Sequence, residues 1–235
     1  MRKILLLLLL LSASQIIYAQ VSLGLRGGVN MSAMKFECEA GQKSGGLSSG
    51  NQLKNLQADI LLNIPLYGGL YMQPVFSYTT KGTLFEPASI PQNQNSVSSG
   101  EAGSSVKIRY IEMPLNLLYK FNLSGCKLVV GGGPYVAYGL TGNYNTDIIF
   151  NGKVISHTRK PLAFDNTDNV VSPGMYLNRW DAGINTTIGV ELNNLVVIGV
   201  NYSIGMVDLD NSAAYKVKNS YVGISVGLLF NREDY

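Results

Sequence analysis

Few side chains in this sequence could do chemistry, and their spacing decides which chemistry it would be. Arg26, Asp59, Glu112, Lys120, Arg179, Asp181 and Glu191 are assigned to the polar side of a repeating apolar–polar alternation, which would place them on a single face of a sheet. Three cations against four anions come close to neutrality, as a mutually paired structural network would. A polar path or ligand site is the functional alternative, and buried charges need partners in either case. Lys120 and Glu191 fall near short turns, where hydration is expected. His157 is the sole histidine. Ser156, Asp165 and Asp168 lie near it in the chain, so the ingredients of a hydrolase are present, but they fall in an expected loop and no spacing fixes a triad. One histidine and two distant cysteines, Cys38 and Cys126, do not make a metal site. Gly131-Gly132-Gly133 sits inside a strand pattern and is no phosphate loop. No catalytic residue, metal ligand or cofactor is expected, and the protein reads as non-enzymatic.

The elements that must position these charges are strands. In "RYIEMPLNLLYKF" at 109–121, Ile111, Met113, Leu115, Leu117, Tyr119 and Phe121 alternate with Glu112, Pro114, Asn116 and Lys120. The same period of two runs through 21–30, 56–64, 70–79, 127–140, 180–192, 195–206 and 221–230, giving eight strands. Pro65 to Tyr67, Asn122 to Cys126 and Asn193-Asn194 read as tight turns, and 31–54, 81–105, 142–176 and 208–219 as long loops. Short and long connections alternate strictly, as in outer-membrane barrels with short periplasmic turns and long external loops. An even strand count then puts both termini in the periplasm. Pro74, Pro114 and Pro134 fall inside these strands and call for a bulge or an unpaired position at each. Cys38, in the first long loop, and Cys126, in a tight turn, lie at opposite ends of such a barrel, too far apart for a disulfide.

Composition narrows the setting. Arg2 and Lys3 precede an unbroken apolar run from Ile4 to Leu11, with Ala19 before Gln20. This is the pattern of a secretory signal peptide over 1–19, leaving a single domain over 20–235. Charged residues make up 14% and the net charge is +3, which excludes a basic nucleic-acid-binding surface. The polar parity is built from Gly, Ser, Thr and Asn more than from Lys and Glu, which suits a tight interior better than a water-facing sheet. Aromatic residues close the apolar parity at Tyr119, Phe121 and Phe230, as an interfacial girdle would. The fold class expected is therefore all-β, an eight-stranded antiparallel up-and-down transmembrane β-barrel.

Several stretches carry a resemblance. "LGLRGGVNMS", "MQPVFSYTTKG", "RYIEMPLNLLYKF", "GGPYVAYGL", "DAGINTTIGVEL", "IGVNYSIGMVDL" and "YVGISVGLLF" occur in order along the whole mature domain, which resembles the PorT-like outer-membrane β-barrel family of Bacteroidota-type bacteria. Val75 departs from the acidic residue usual after Gln73-Pro74, and the tail "NREDY" extends past the usual stop. The resemblance implies an eight-stranded barrel in the outer membrane, with a link to protein secretion through one relative.

The expected role is a structural or partner-binding envelope component with a filled lumen, contacting outer-membrane lipid and working as a monomer. The alternatives are a narrow channel for small solutes or ions and, further off, the His157 hydrolase. Asn151-Gly152 lies between two β-prone runs and predicts a type I′ hairpin outside the membrane. Ile148, Ile149, Phe150, Val154 and Ile155 give that hairpin more apolar surface than an idle loop needs, so it is the candidate partner-binding element.

Overall fold

The computed structural model describes residues 21–38, 51–89, 100–150, 153–162, 164, 177–193, 195–210 and 215–230. The segment expected to be a signal peptide lies outside the described residues. Nine strands occur among them: β1 (Ser22–Cys38), β2 (Leu53–Tyr67), β3 (Leu70–Ser89), β4 (Gly100–Leu123), β5 (Cys126–Phe150), β6 (Lys153–Pro161), β7 (Trp180–Leu192), β8 (Val196–Gly205) and β9 (Tyr215–Phe230). All pairings between these strands are antiparallel. The pairs run β1-β2-β3-β4-β5-β7-β8-β9, and a ladder from Leu23↔Phe230 to Cys38↔Tyr215 leads from β9 back to β1. Eight strands thus form a curled sheet in which each has a partner on both sides.

The expectation of eight strands needs one addition. β6 is a ninth, paired with the outer part of β5 from Asn143↔Pro161 to Phe150↔Lys153. β7 stops pairing with β5 at Tyr138↔Trp180, so β6 takes the place beside β5 beyond that point. The expected loops are also shorter than the alternation suggested. β1 runs on to Cys38, β3 to Ser89 and β5 to Phe150, while β4 starts at Gly100 and β9 at Tyr215. Cys38 is therefore a strand residue; Cys126 is a free thiol. Strand–strand hydrogen bonds satisfy the backbone wherever a neighbour is within reach, and loop-like composition does not prevent this.

The first turn also lies later than expected. Pro65 to Tyr67 belong to β2, with a register shift between Pro65 and Tyr67, and the chain reverses at Gly68-Gly69. Both glycines have positive φ, 55° and 88°, as a two-residue hairpin turn demands. Pro74, Pro114 and Pro134 are accommodated by ladder gaps, without bulges. Around Pro74 the β2–β3 pairs step from Leu61↔Val75 to Ile64↔Met72, and after Pro114 the β4–β5 pairs step from Pro114↔Tyr135 to Leu117↔Gly132, both in unchanged register. A proline without an N–H costs a local hydrogen bond but need not displace the strand.

Burial is reversed from that of a water-soluble barrel. Leu25, Ile60, Phe76, Met113, Ile188 and Ile224 point outward and are exposed, as are Tyr119, Phe121 and Phe230. Asn30, Gln57, Asn116, Asn185, Asn201 and Ser225 point inward and are buried. Interior polar side chains hydrogen-bond across strands: Asn30 Nδ2 donates to Thr79 Oγ1 (2.9 Å), Gln73 Nε2 to Asn63 Oδ1 (2.8 Å) and Asn185 Nδ2 to Asn116 Oδ1 (3.1 Å).

Candidate functional site

Lys81 lies at the centre of the charged interior. Its Nζ is 2.6 Å from Glu112 Oε2 and 3.1 Å from Asp181 Oδ2, and none of the three side chains has exposed surface. Strand alternation puts it there: Gln73, Val75, Ser77, Thr79, Lys81 and Thr83 are consecutive inward positions of β3, and all are buried. Gly82 follows it and lies so close to β4 that an added Cβ would collide with the Val106 carbonyl oxygen. That tight approach holds Lys81 against the Glu112 strand.

Aromatic rings surround the ammonium. Nζ is 4.3 Å from the ring centre of Tyr135, 5.3 Å from Tyr221 and 5.4 Å from Tyr110, distances at which ring faces attract a cation. The carboxylates receive neutral donors too. Tyr221 Oη donates to Glu112 Oε1 (3.2 Å), Tyr135 Oη to Asp181 Oδ1 (3.3 Å) and Asn219 Nδ2 to Asp181 Oδ2 (3.0 Å). β3, β4, β5, β7 and β9 all contribute, so the cluster is a strut across the ring. Taking such charges out of water costs several kcal/mol per ion, and this many partners offset that cost.

Two further pairs lie towards the short-turn end. Arg26 Nε meets Asp59 Oδ2 at 2.7 Å, and Ser77 Oγ donates to Asp59 Oδ1 at 2.6 Å. Lys120 Nζ meets Glu191 Oε1 at 2.6 Å over the Tyr71 ring, 4.1 Å away. Both Lys120 and Glu191 are buried, which corrects the expectation that they are hydrated near the turns. A cavity of about 20 Å³ lined by Arg26, Asn63, Gln73, Thr187 and Glu191 separates the pairs, room for about one water. Above the strut, Met34, Val106, Ile108, Leu162, Phe164, Leu177, Leu209 and Val217 pack with Tyr110 and Tyr135 into an apolar plug. Leu162, Phe164, Leu177 and Leu209 lie between strands in the sequence and pack into the mouth.

Of the seven charges singled out from the sequence, six are in these three groups. Arg179 is elsewhere, half-buried at the mouth, with its guanidinium 4.8 Å from the Phe164 ring and Nη1 donating to the Gly139 carbonyl at 3.4 Å. Sequence reasoning missed Lys81 because it ended the strand at Thr79, and it gave no role to Tyr135, Asn219 or Tyr221. Extending the period of two past Thr79 would have found the lysine.

The expected hairpin forms from β5 and β6. Ile148, Val154 and Ile155 are exposed on it; Phe150 ends β5, and Asn151 and Gly152 lie outside the described residues. His157 Nδ1 contacts Asp147 Oδ1 across the hairpin, opposite it in register. Asp165 and Asp168 lie outside the described residues, and Ser156 pairs with Ile148 in register. Among the described residues no group of three metal-ligating side chains occurs.

An antiparallel β ring with an apolar exterior and a polar, ion-paired interior is the architecture of an outer-membrane barrel. The chain belongs to the family described as outer membrane protein beta-barrel domain, whose pattern matches residues 13–211. No curated protein matches the sequence. Among solved structures, it is similar to the attachment invasion locus protein Ail of Yersinia pestis at 11% identity and a TM-score of 0.41, over 90% of this chain and 99% of that one. It is similar to outer membrane protein OprG of Pseudomonas aeruginosa at 10% identity and 0.40, over 91% and 98%. Neisserial surface protein A follows at 11% and 0.38, over 88% and 97%.

Proposed function

We propose that the protein is a closed, eight-stranded transmembrane barrel of the outer membrane with a filled lumen, acting as a non-enzymatic structural or partner-binding component of the envelope. The observation that carries this reading is the Lys81 strut beneath the apolar plug. A solute crossing the ring would have to part Lys81 from Glu112 and Asp181 and also displace Leu177 and Leu209, all of which have no exposed surface. The balanced charges are therefore a brace and not a path. In the same proposal, residues 1–19 are a signal peptide removed after Ala19, residues 20–235 form the domain, both termini are periplasmic and the barrel is a monomer. The finer family reading is PorT-like, on the motifs quoted above, with a place in a secretion assembly.

Bilayer recording of the refolded barrel tests the filled lumen. No steady conductance is expected, and a steady current of porin size would overturn it. The partner-binding part rests on the β5–β6 hairpin, where Val154 and Ile155 are 57% and 65% exposed. Deleting 146–157 and closing with a short Gly-Ser link is expected to leave the ring folded and to abolish crosslinking to the partner in intact cells. Unchanged crosslinking would move the contact site elsewhere.

A further inference from the structure

The outward face of the ring differs between its two ends. At the short-turn end the outward positions finish on Tyr119, Phe121 and Phe230. At the end with the long connections they pass from aliphatic to cationic on four strands. Outward alternation carries β1 from Met31 to Lys35, β2 from Leu56 to Lys54, β4 from Ile111 to Arg109 and Lys107, and β9 from Val222 to Lys218 and Lys216. Lys35 stands opposite Lys218, and Arg109 stands opposite Thr80 and Thr141. β9, β1 and β2 are consecutive in the ring, and β3 separates them from β4. The outward positions of β7 and β8 near that end instead carry Trp180, Ile204 and Met206.

A second observation falls on the same strands. Below the cations, the outer face carries a groove of about 910 Å³, floored by Gly27 and Ala58 and walled by Leu25, Ile60, Phe76 and Val226. Gly27 pairs with Ala58, so two small residues side by side leave the hollow. An added Cβ at Gly27 would meet no atom within 4 Å. An apolar groove running up to a band of cations matches one kind of molecule, a lipid with acyl chains and an anionic headgroup.

We infer that this face of the barrel binds an anionic, phosphate-bearing lipid of the surrounding leaflet, with its phosphates on Lys35, Lys54, Lys107 and Arg109 and an acyl chain in the Gly27–Ala58 groove. The inference rests on the transmembrane reading, so insertion is measured separately, by heat-modifiable migration after refolding into phosphatidylcholine vesicles. Failure to insert there sinks both; insertion without a lipid preference sinks this one alone. The probe is synthetic bisphosphoryl lipid A, compared with its acyl-matched dephosphorylated form, with binding to the barrel in zwitterionic micelles read by native mass spectrometry. The barrel should prefer the phosphorylated lipid at least tenfold, since each cation near an anionic headgroup contributes about fivefold at low salt. The fourfold variant K35Q/K54Q/K107Q/R109Q should lose that preference while keeping its heat-modifiable migration, because these side chains face outward. Ala58→Leu should weaken both lipids alike by filling the groove. Equal binding of the two lipids by the unaltered barrel, or an undiminished preference in the fourfold variant, would overturn the assignment. Displacement of the lipid by millimolar inorganic phosphate would also overturn it, because the site would then be a phosphate site without a lipid. Unchanged binding by Ala58→Leu would remove the acyl chain from the groove.

Discussion

Lys81 touches Glu112 and Asp181 with no side-chain surface exposed, whereas His157 and Asp147 meet with 59% and 41% of theirs in the open. Both are cross-strand contacts between a basic side chain and a carboxylate, made by the same sheet, but their surroundings give them opposite weight. In the ring, water cannot replace a lost partner, so every member depends on the others. On the hairpin, water and salt take over whatever the partner provided. The contrast shows why the interior holds one geometry while the hairpin is free to present its surface.

Breaking the interior side of the comparison should have the largest effect. Lys81→Met leaves two buried carboxylates without their cation, and a loss of about 3–5 kcal/mol is expected in urea unfolding from lipid vesicles. Adding Glu112→Gln and Asp181→Asn should recover much of that loss; a triple variant as weak as the single one would mean that Lys81 acts through packing alone. A smaller loss, about 2 kcal/mol in the same measurement, is expected for Arg26→Met, because Asp59 keeps the Ser77 hydroxyl and the Gln57 amide, which donates at 3.4 Å. At the exposed end, His157→Ala should change stability by no more than about 0.5 kcal/mol. A loss there as large as that of Arg26→Met would show that the hairpin is part of the cooperative unit.

The alternation in the sequence assigned each side chain to one face, and of the charges on its polar parity Asp59, Glu112, Lys120, Asp181 and Glu191 are buried and Arg26 nearly so, while Arg179 is half-buried at the mouth. Pairing was less legible, since it depends on register between strands distant in sequence. Lys81 and Asp181 are 100 residues apart and meet only through the continuous run of ladders. Strand ends were the least legible. "KGTLFEPAS" after Thr80 and "GEAGSSVK" before Ile108 look like loop by composition, but each finds a neighbouring strand and pairs. The β6 segment, "KVISHTRKP", was legible as one arm of the Asn151-Gly152 hairpin, but its nine-residue length follows from the edge that β5 offers beyond Gly142.

The ladder between β1 and β9 also sets the order of events in folding. Its partners, from Leu23↔Phe230 to Cys38↔Tyr215, come from the first and last strands of the chain. Until the last strand has been delivered, β1 has one unpaired edge, and unpaired backbone groups are not tolerated in a bilayer. In the transmembrane reading proposed above, insertion is therefore a late, concerted step that waits for the last strand, and its closing contact, which spans nearly the full sequence, makes it slow. A chain truncated before Tyr215 has no second route to a finished ring, however sound its first eight strands are.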